Sequence, residues 1–150
     1  MPNGLQIINI AVPIQAVWDF ISRMENWAPL VPGYVGHEIL SDRESTWTFV
    51  SDLGIMKKEI SMKVRITDWN EPSEVRFQLT GLNENFTGGG FFKAEAISPQ
   101  QTRMTGSLDI TARGLTAPVA NSLLKATVPE TAKELAEAVA GKIRATKLIG

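Results

Sequence analysis

The chain has 150 residues, 43% hydrophobic and 21% charged, with a formal net charge of -1. That length and balance fit a single domain, 1–150, with a real core and little disorder. The charge argues against a general nucleic-acid binder, the lack of cysteine excludes disulfides and thiolate metal sites, and a lone histidine, His37, excludes multi-histidine metal centres.

No basic, apolar leader opens the chain, and no run reaches the roughly 20 apolar residues of a spanning helix. The expectation is a cytoplasmic protein with no integral membrane segment. Peripheral membrane contact stays open.

Residues 5–12 are rich in β-branched side chains and predict a strand. Pro13 then presets φ for a helix start. Val17, Trp18, Phe20, Ile21 and Met24 make an apolar stripe at helical spacing. The proline-punctuated run 28–33 ends that helix in a tight turn. Strand character returns over 34–40, 46–53, 56–69, 74–80, 86–97 and 102–113. Short polar or glycine links join these runs, which predicts an antiparallel meander. From 116 to 147 the composition turns to Ala, Leu, Lys and Glu. As one helix it would span about 45 Å, at roughly 1.5 Å per residue. Thr116-Ala117-Pro118 and Thr127-Val128-Pro129-Glu130 each read as a helix start, the second as a capping box, so a break is expected near Thr127 to Pro129.

Strand parity assigns the inner faces. Ile60, Met62, Val64 and Ile66 share one face of the long strand. Val75, Phe77 and Leu79 form a second inward set, and Met104, Gly106, Leu108, Ile110 and Ala112 a third. Trp47, Phe49, Ser51 and Leu53 form a fourth. In 86–97 the inward set is Gly88, Gly90, Phe92, Ala94 and Ala96, which is unusually small. Either the sheet bends there or room is left behind it. Gly88-Gly89-Gly90 lacks the spacing of a phosphate loop and precedes a strand, not a helix. Lys57, Lys58, Lys63 and Arg65 give a basic streak, read as a solvated outer face or a partner surface. Glu134 also reads as solvated.

These elements suit a curved antiparallel sheet covered by the long C-terminal helix. The stretch Val12-Pro13-Ile14-Gln15-Ala16-Val17-Trp18-Asp19-Phe20 resembles the P-x-x-x-V-W opening of the START-like, or SRPBCC, superfamily. Trp27-Ala28-Pro29-Leu30-Val31-Pro32-Gly33 and Leu115-Thr116-Ala117-Pro118-Val119 most resemble the CoxG group of carbon monoxide dehydrogenase proteins. The resemblance spans essentially the whole chain. It implies an α+β helix-grip fold: a curved antiparallel sheet around a long C-terminal helix, with two short helices after the first strand. It also implies handling of a hydrophobic molecule linked to a molybdenum hydroxylase system. Members of that group often carry a C-terminal membrane anchor; none is expected from the run after Lys147, so a membrane role is not carried over from the resemblance.

An apolar cavity between sheet and helix is therefore expected. Its candidate ligand-binding residues are Trp27, Leu30 and Val31 near a mouth, then His37, Phe49 and Ser51. Ile60, Met62, Val64, Phe77 and Leu79 follow on the middle strands. Gly90, Phe92 and Leu108 come next, with Leu124 and Val128 from the tail. His37 could bond a ligand or act as acid or base, although a satisfied strand histidine is the commoner case. Loop residues Tyr34, Asn83, Glu84 and Asn85 could reach the mouth. The inward faces carry no other polar group than Ser51, which favours binding of a lipid, quinone or polyketide-like ring over catalysis. An enzyme of the polyketide cyclase/dehydrase kind and an assembly or interaction protein are the alternatives. No cofactor and no metal are expected. A multi-subunit enzyme partner or a homodimer stays open.

Overall fold

A computed structural model describes residues 3–52, 57–115 and 117–149, the side chains of 51, 52, 57 and 147–149 excepted. Strand β1 (Asn3–Ile10) leads to Pro13, whose φ of -63° sets the start of α1 (Ile14–Ile21). Val17, Trp18 and Ile21 are the buried face of α1. A one-turn helix, α2 (Met24–Trp27), runs into a 3-10 turn at Ala28–Leu30. Gly33 follows at φ 80°, where a Cβ would collide with the Val50 carbonyl. Only glycine suits that turn.

Six strands follow: β2 (Tyr34–Ile39), β3 (Glu44–Asp52), β4 (Lys57–Asn70), β5 (Glu74–Gly81), β6 (Phe86–Ser98) and β7 (Gln101–Ala112). The chain then forms α3 (Ala117–Ile149). All pairings are antiparallel, in the order β1-β7-β6-β5-β4-β3-β2. This is the helix-grip arrangement.

Period-two alternation sorts the strand faces as the apolar pattern predicts. Met62, Val64, Ile66, Val75, Phe77 and Leu79 are buried. Their neighbours Arg65, Gln78 and Thr80 are exposed. Ala96 departs from the pattern. It is exposed, because it sits beyond the covered part of β6, beside a register shift before Ser98. Leu53, Gly54, Met56 and Thr116, and the side chain of Ser51, lie outside the described residues.

The small inward set on β6 reflects a bend with close packing. A Cβ at Gly90 would collide with the Ser107 carbonyl and lie 2.7 Å from the Phe77 ring. The space over Gly90 is filled by Phe77, not left open.

The expected break in the tail does not occur. α3 runs through Pro129 without interruption. Thr127 is not a cap, since its hydroxyl donates to the Leu123 carbonyl at 3.3 Å. Pro129 lacks the N–H that would continue the helical ladder. Packing compensates. A Cβ at Gly4 of β1 would stand 2.7 Å from Pro129 Cα and 2.9 Å from Ala132 Cβ. The missing side chain at Gly4 lets the helix lie directly on β1. The two then run side by side to Asn9, whose carbonyl accepts from Arg144 at 3.2 Å.

Candidate functional site

The C-terminal half of α3 closes on the sheet through Val128, Ala132, Leu135, Ala136, Val139 and Ile143, all buried. Ala132 and Ala136 are small, as are Gly4 and Gly106 beneath them, so helix and sheet meet closely. The N-terminal half stands off. Under it lies a cavity of about 800 Å³.

Asn121 holds that overhanging half in place. Its Oδ1 accepts from the Ala112 N–H at 2.8 Å, and its Nδ2 donates to the Ala112 carbonyl at 3.2 Å. One amide side chain thus satisfies both backbone groups at the end of β7.

The floor is aromatic. Trp27 is 1% exposed and meets Trp47, Phe77 and Phe92 at ring-centroid distances of 5.2, 5.3 and 5.1 Å. Its indole N–H donates to the Ile21 carbonyl at 3.0 Å, which satisfies a buried helix-end acceptor. The Trp47 N–H donates to Ser45 Oγ at 2.7 Å. Both indoles therefore present carbon to the cavity.

Of the expected residues, Trp27, Val31, Phe49, Ile60 and Met62 line this cavity. So do Phe77, Leu79, Leu108, Leu124 and Val128. Trp27 lies at the floor, not near the mouth. Val64 and Phe92 fall in closed core, and Leu30 packs against that core outside the cavity. Gly90 is covered by Phe77. His37 pairs with Trp47 across β2 and β3, so it has the inward parity. It nevertheless lies outside the cavity, on an edge strand, with Nδ1 2.5 Å from the Tyr34 hydroxyl. Asn83 is held by β4, accepting from the Ser61 N–H and donating to the Glu59 carbonyl, each at 2.9 Å.

The polar residues gather at the mouth: Lys58, Glu84, Asn85, Arg113, Glu130 and Glu134. Glu84 and Asn85 reach it as expected. Lys58 corrects the reading of a wholly outer basic streak. It shares parity with Ile60 and Met62, lies on the cavity side, and pairs with Glu84. Glu130 and Glu134 were not anticipated. Their signal is their spacing, four residues apart beside the apolar stripe of α3. Among the described residues no cluster of His, Asp and Glu could hold a metal ion, and no helix is long and apolar enough to cross a membrane.

No curated protein matches the chain by sequence. Solved structures match the fold. A conserved protein from Geobacillus kaustophilus superposes with TM-score 0.76 at 15% identity, covering 94% of each chain. The Zhui aromatase/cyclase from Streptomyces sp. R1128 gives 0.71 at 16%, over 94% of this chain and 92% of that one. A START superfamily protein from Mycobacterium smegmatis gives 0.72 at 14%, over 96% and 98%. These likenesses establish a START-like fold. Residues 7–144 match the CoxG family of carbon monoxide dehydrogenase subunits, and the chain belongs to that family.

Proposed function

We propose that the protein binds and carries a hydrophobic small molecule in the cavity beneath α3. One observation carries this reading. A space of about 800 Å³ is walled by aromatic and aliphatic carbon, and its charged groups sit only at the mouth. Ligand pockets are typically apolar spaces of about 300–1,000 Å³ with few placed polar groups. A lipid, a quinone or a polyketide-like ring has the matching chemistry. The ten lining residues anticipated from the loop at 27–33, from strand parity and from the tail are the proposed contacts.

Family membership supplies the setting. A carrier in the CoxG family fits service to a carbon monoxide dehydrogenase-type molybdenum hydroxylase in the cytoplasm. The cyclase alternative needs His37 or an acid of the 83–85 loop in the cavity; His37 is directed to Tyr34, and Glu84, which reaches the mouth, is paired with Lys58.

The test is solvent extraction of the purified protein with mass spectrometry, followed by titration with a quinone and a phospholipid. Tryptophan fluorescence reports binding, because Trp27 and Trp47 line the space. A bound apolar compound, displaced by filling the cavity in Leu124→Trp, is the expected result. A folded protein that extracts empty and binds neither probe overturns the reading.

A further inference from the structure

The carrier reading leaves open which polar end the ligand has, and the mouth bears on that. Deep in the cavity both indole N–H groups are already bonded within the protein. A ligand's polar group buried there would lose its water without gaining a partner. The polar end must therefore stay at the mouth.

The charges there are unequal in availability. The Lys58 ammonium is neutralised by Glu84. Arg113 keeps its positive charge at the mouth, although its Nε–H is turned to the Thr87 hydroxyl of β6 at 3.3 Å. Among the described residues, the rim's unpaired charges are thus one cation on the sheet side and the carboxylates of α3. Leu123, Thr127, Glu130 and Glu134 form one stripe of α3 along the rim, beside the inward stripe of Ala120, Leu124 and Val128. Glu130 and Glu134 are exposed, and neither side chain makes an ion pair or hydrogen bond among the described residues. The Thr127 hydroxyl has used its proton on Leu123, so its oxygen is left only as an acceptor. The helix side of the mouth is thus a row of acceptors carrying two unpaired carboxylates.

We propose that this rim selects amphiphiles whose polar end donates hydrogen bonds, a hydroxyl or an amine, and rejects carboxylates. The proposal rests on the carrier reading. Like charges at an entrance discriminate against a partner as effectively as contacts select one.

The probes are 1-decanol, decylamine and decanoate, each below its micelle concentration and followed by tryptophan fluorescence. Decanol and decylamine bind, and decanoate binds at least about tenfold more weakly, a tenfold step being about 1.4 kcal/mol. The double variant Glu130→Gln, Glu134→Gln recovers most of the decanoate loss and weakens decylamine, while decanol, still offered the neutral amide oxygens, shifts less than either charged probe. Both positions are exposed, and an unchanged melting curve confirms the fold. Decanoate binding as tightly as decanol, or a decanoate-to-decanol ratio unmoved in the variant, overturns the selectivity and leaves the carrier intact. If neither decanol nor decylamine binds while a quinone or phospholipid does, the selectivity fails and the carrier stands; if none of the four binds, the carrier reading fails as well.

Discussion

Trp27 and Trp47 meet edge to face, 5.2 Å between centroids and 68° between planes. Each indole N–H is bonded away from the cavity, one to Ile21 and one to Ser45. The pair therefore joins α2 to β3 and also gives the cavity a dry floor. Trp27→Ala removes the ring that touches Trp47, Phe77 and Phe92 and leaves the buried Ile21 carbonyl unpaired. A loss of about 3–5 kcal/mol is expected. Urea unfolding checks it, with the midpoint falling and the slope unchanged.

Close approach of α3 to β1 depends on Gly4, and this is separable from glycine effects in general. A Cβ at Gly4 presses on the backbone of Pro129, whereas one at Gly141 meets nothing within 4 Å. Gly4→Ala forces the helix outward and is expected to cost about 1–3 kcal/mol. Gly141→Ala, inside the same helix, is expected to stabilise by about 1 kcal/mol through helix propensity. Paired thermal melts measure both. A Gly4→Ala protein as stable as the parent would mean that α3 does not rest on β1 as described.

Much of this was legible because apolar alternation survives where a strand has one dry face. β4, β5 and β7 show it plainly, and their inner faces follow from parity. His37 shows where parity stops. It fixes the face but not the strand's place in the sheet, and β2 lies at an edge. Gly90 is similar, since its space is taken by Phe77 from the neighbouring strand, which no pattern within β6 reveals. Pro129 misleads for another reason. The local rule against proline in a helix is real, about 3 kcal/mol, but a long helix packed on a glycine overrides it. The rim carboxylates escape notice because exposed glutamates on a helix usually face only water.

Asn121 gives a prediction about the cavity's roof. Its side chain closes both backbone groups of Ala112. Asn121→Ala leaves a part-buried donor and acceptor without those partners, at about 1–3 kcal/mol. The effect should be local. Amide exchange at Ala112 and along the first turns of α3 speeds up, while Val139 to Ile143, packed on the core, keeps its protection. Uniform acceleration along the whole helix would count against a pinned N-terminal half.

Asp109 lies on the outer face of β7, between Asn3 of β1 and Gly89 of β6. Burial raises its pKa above the ordinary 3.8, opposed in part by its own backbone N–H. A carboxyl raised in the folded state binds a proton more readily there than in the unfolded chain. Stability therefore falls as pH rises from 3.8 through the folded pKa, and the penalty persists above it. Asp109→Asn keeps the acceptor and removes the charge. It is expected to raise stability at pH 7 by a small amount, about 0.5 kcal/mol or less at this partly exposed site, with a correspondingly small rise in melting temperature. The gain should shrink as pH drops through the folded pKa and vanish below 3.8, where the carboxyl is protonated in the folded and unfolded states alike. Melts of the two proteins across pH 3 to 8 test this through their difference, which cancels the titration of every other group. A difference that stays constant, or grows on acidification, would show that Asp109 carries no desolvation penalty.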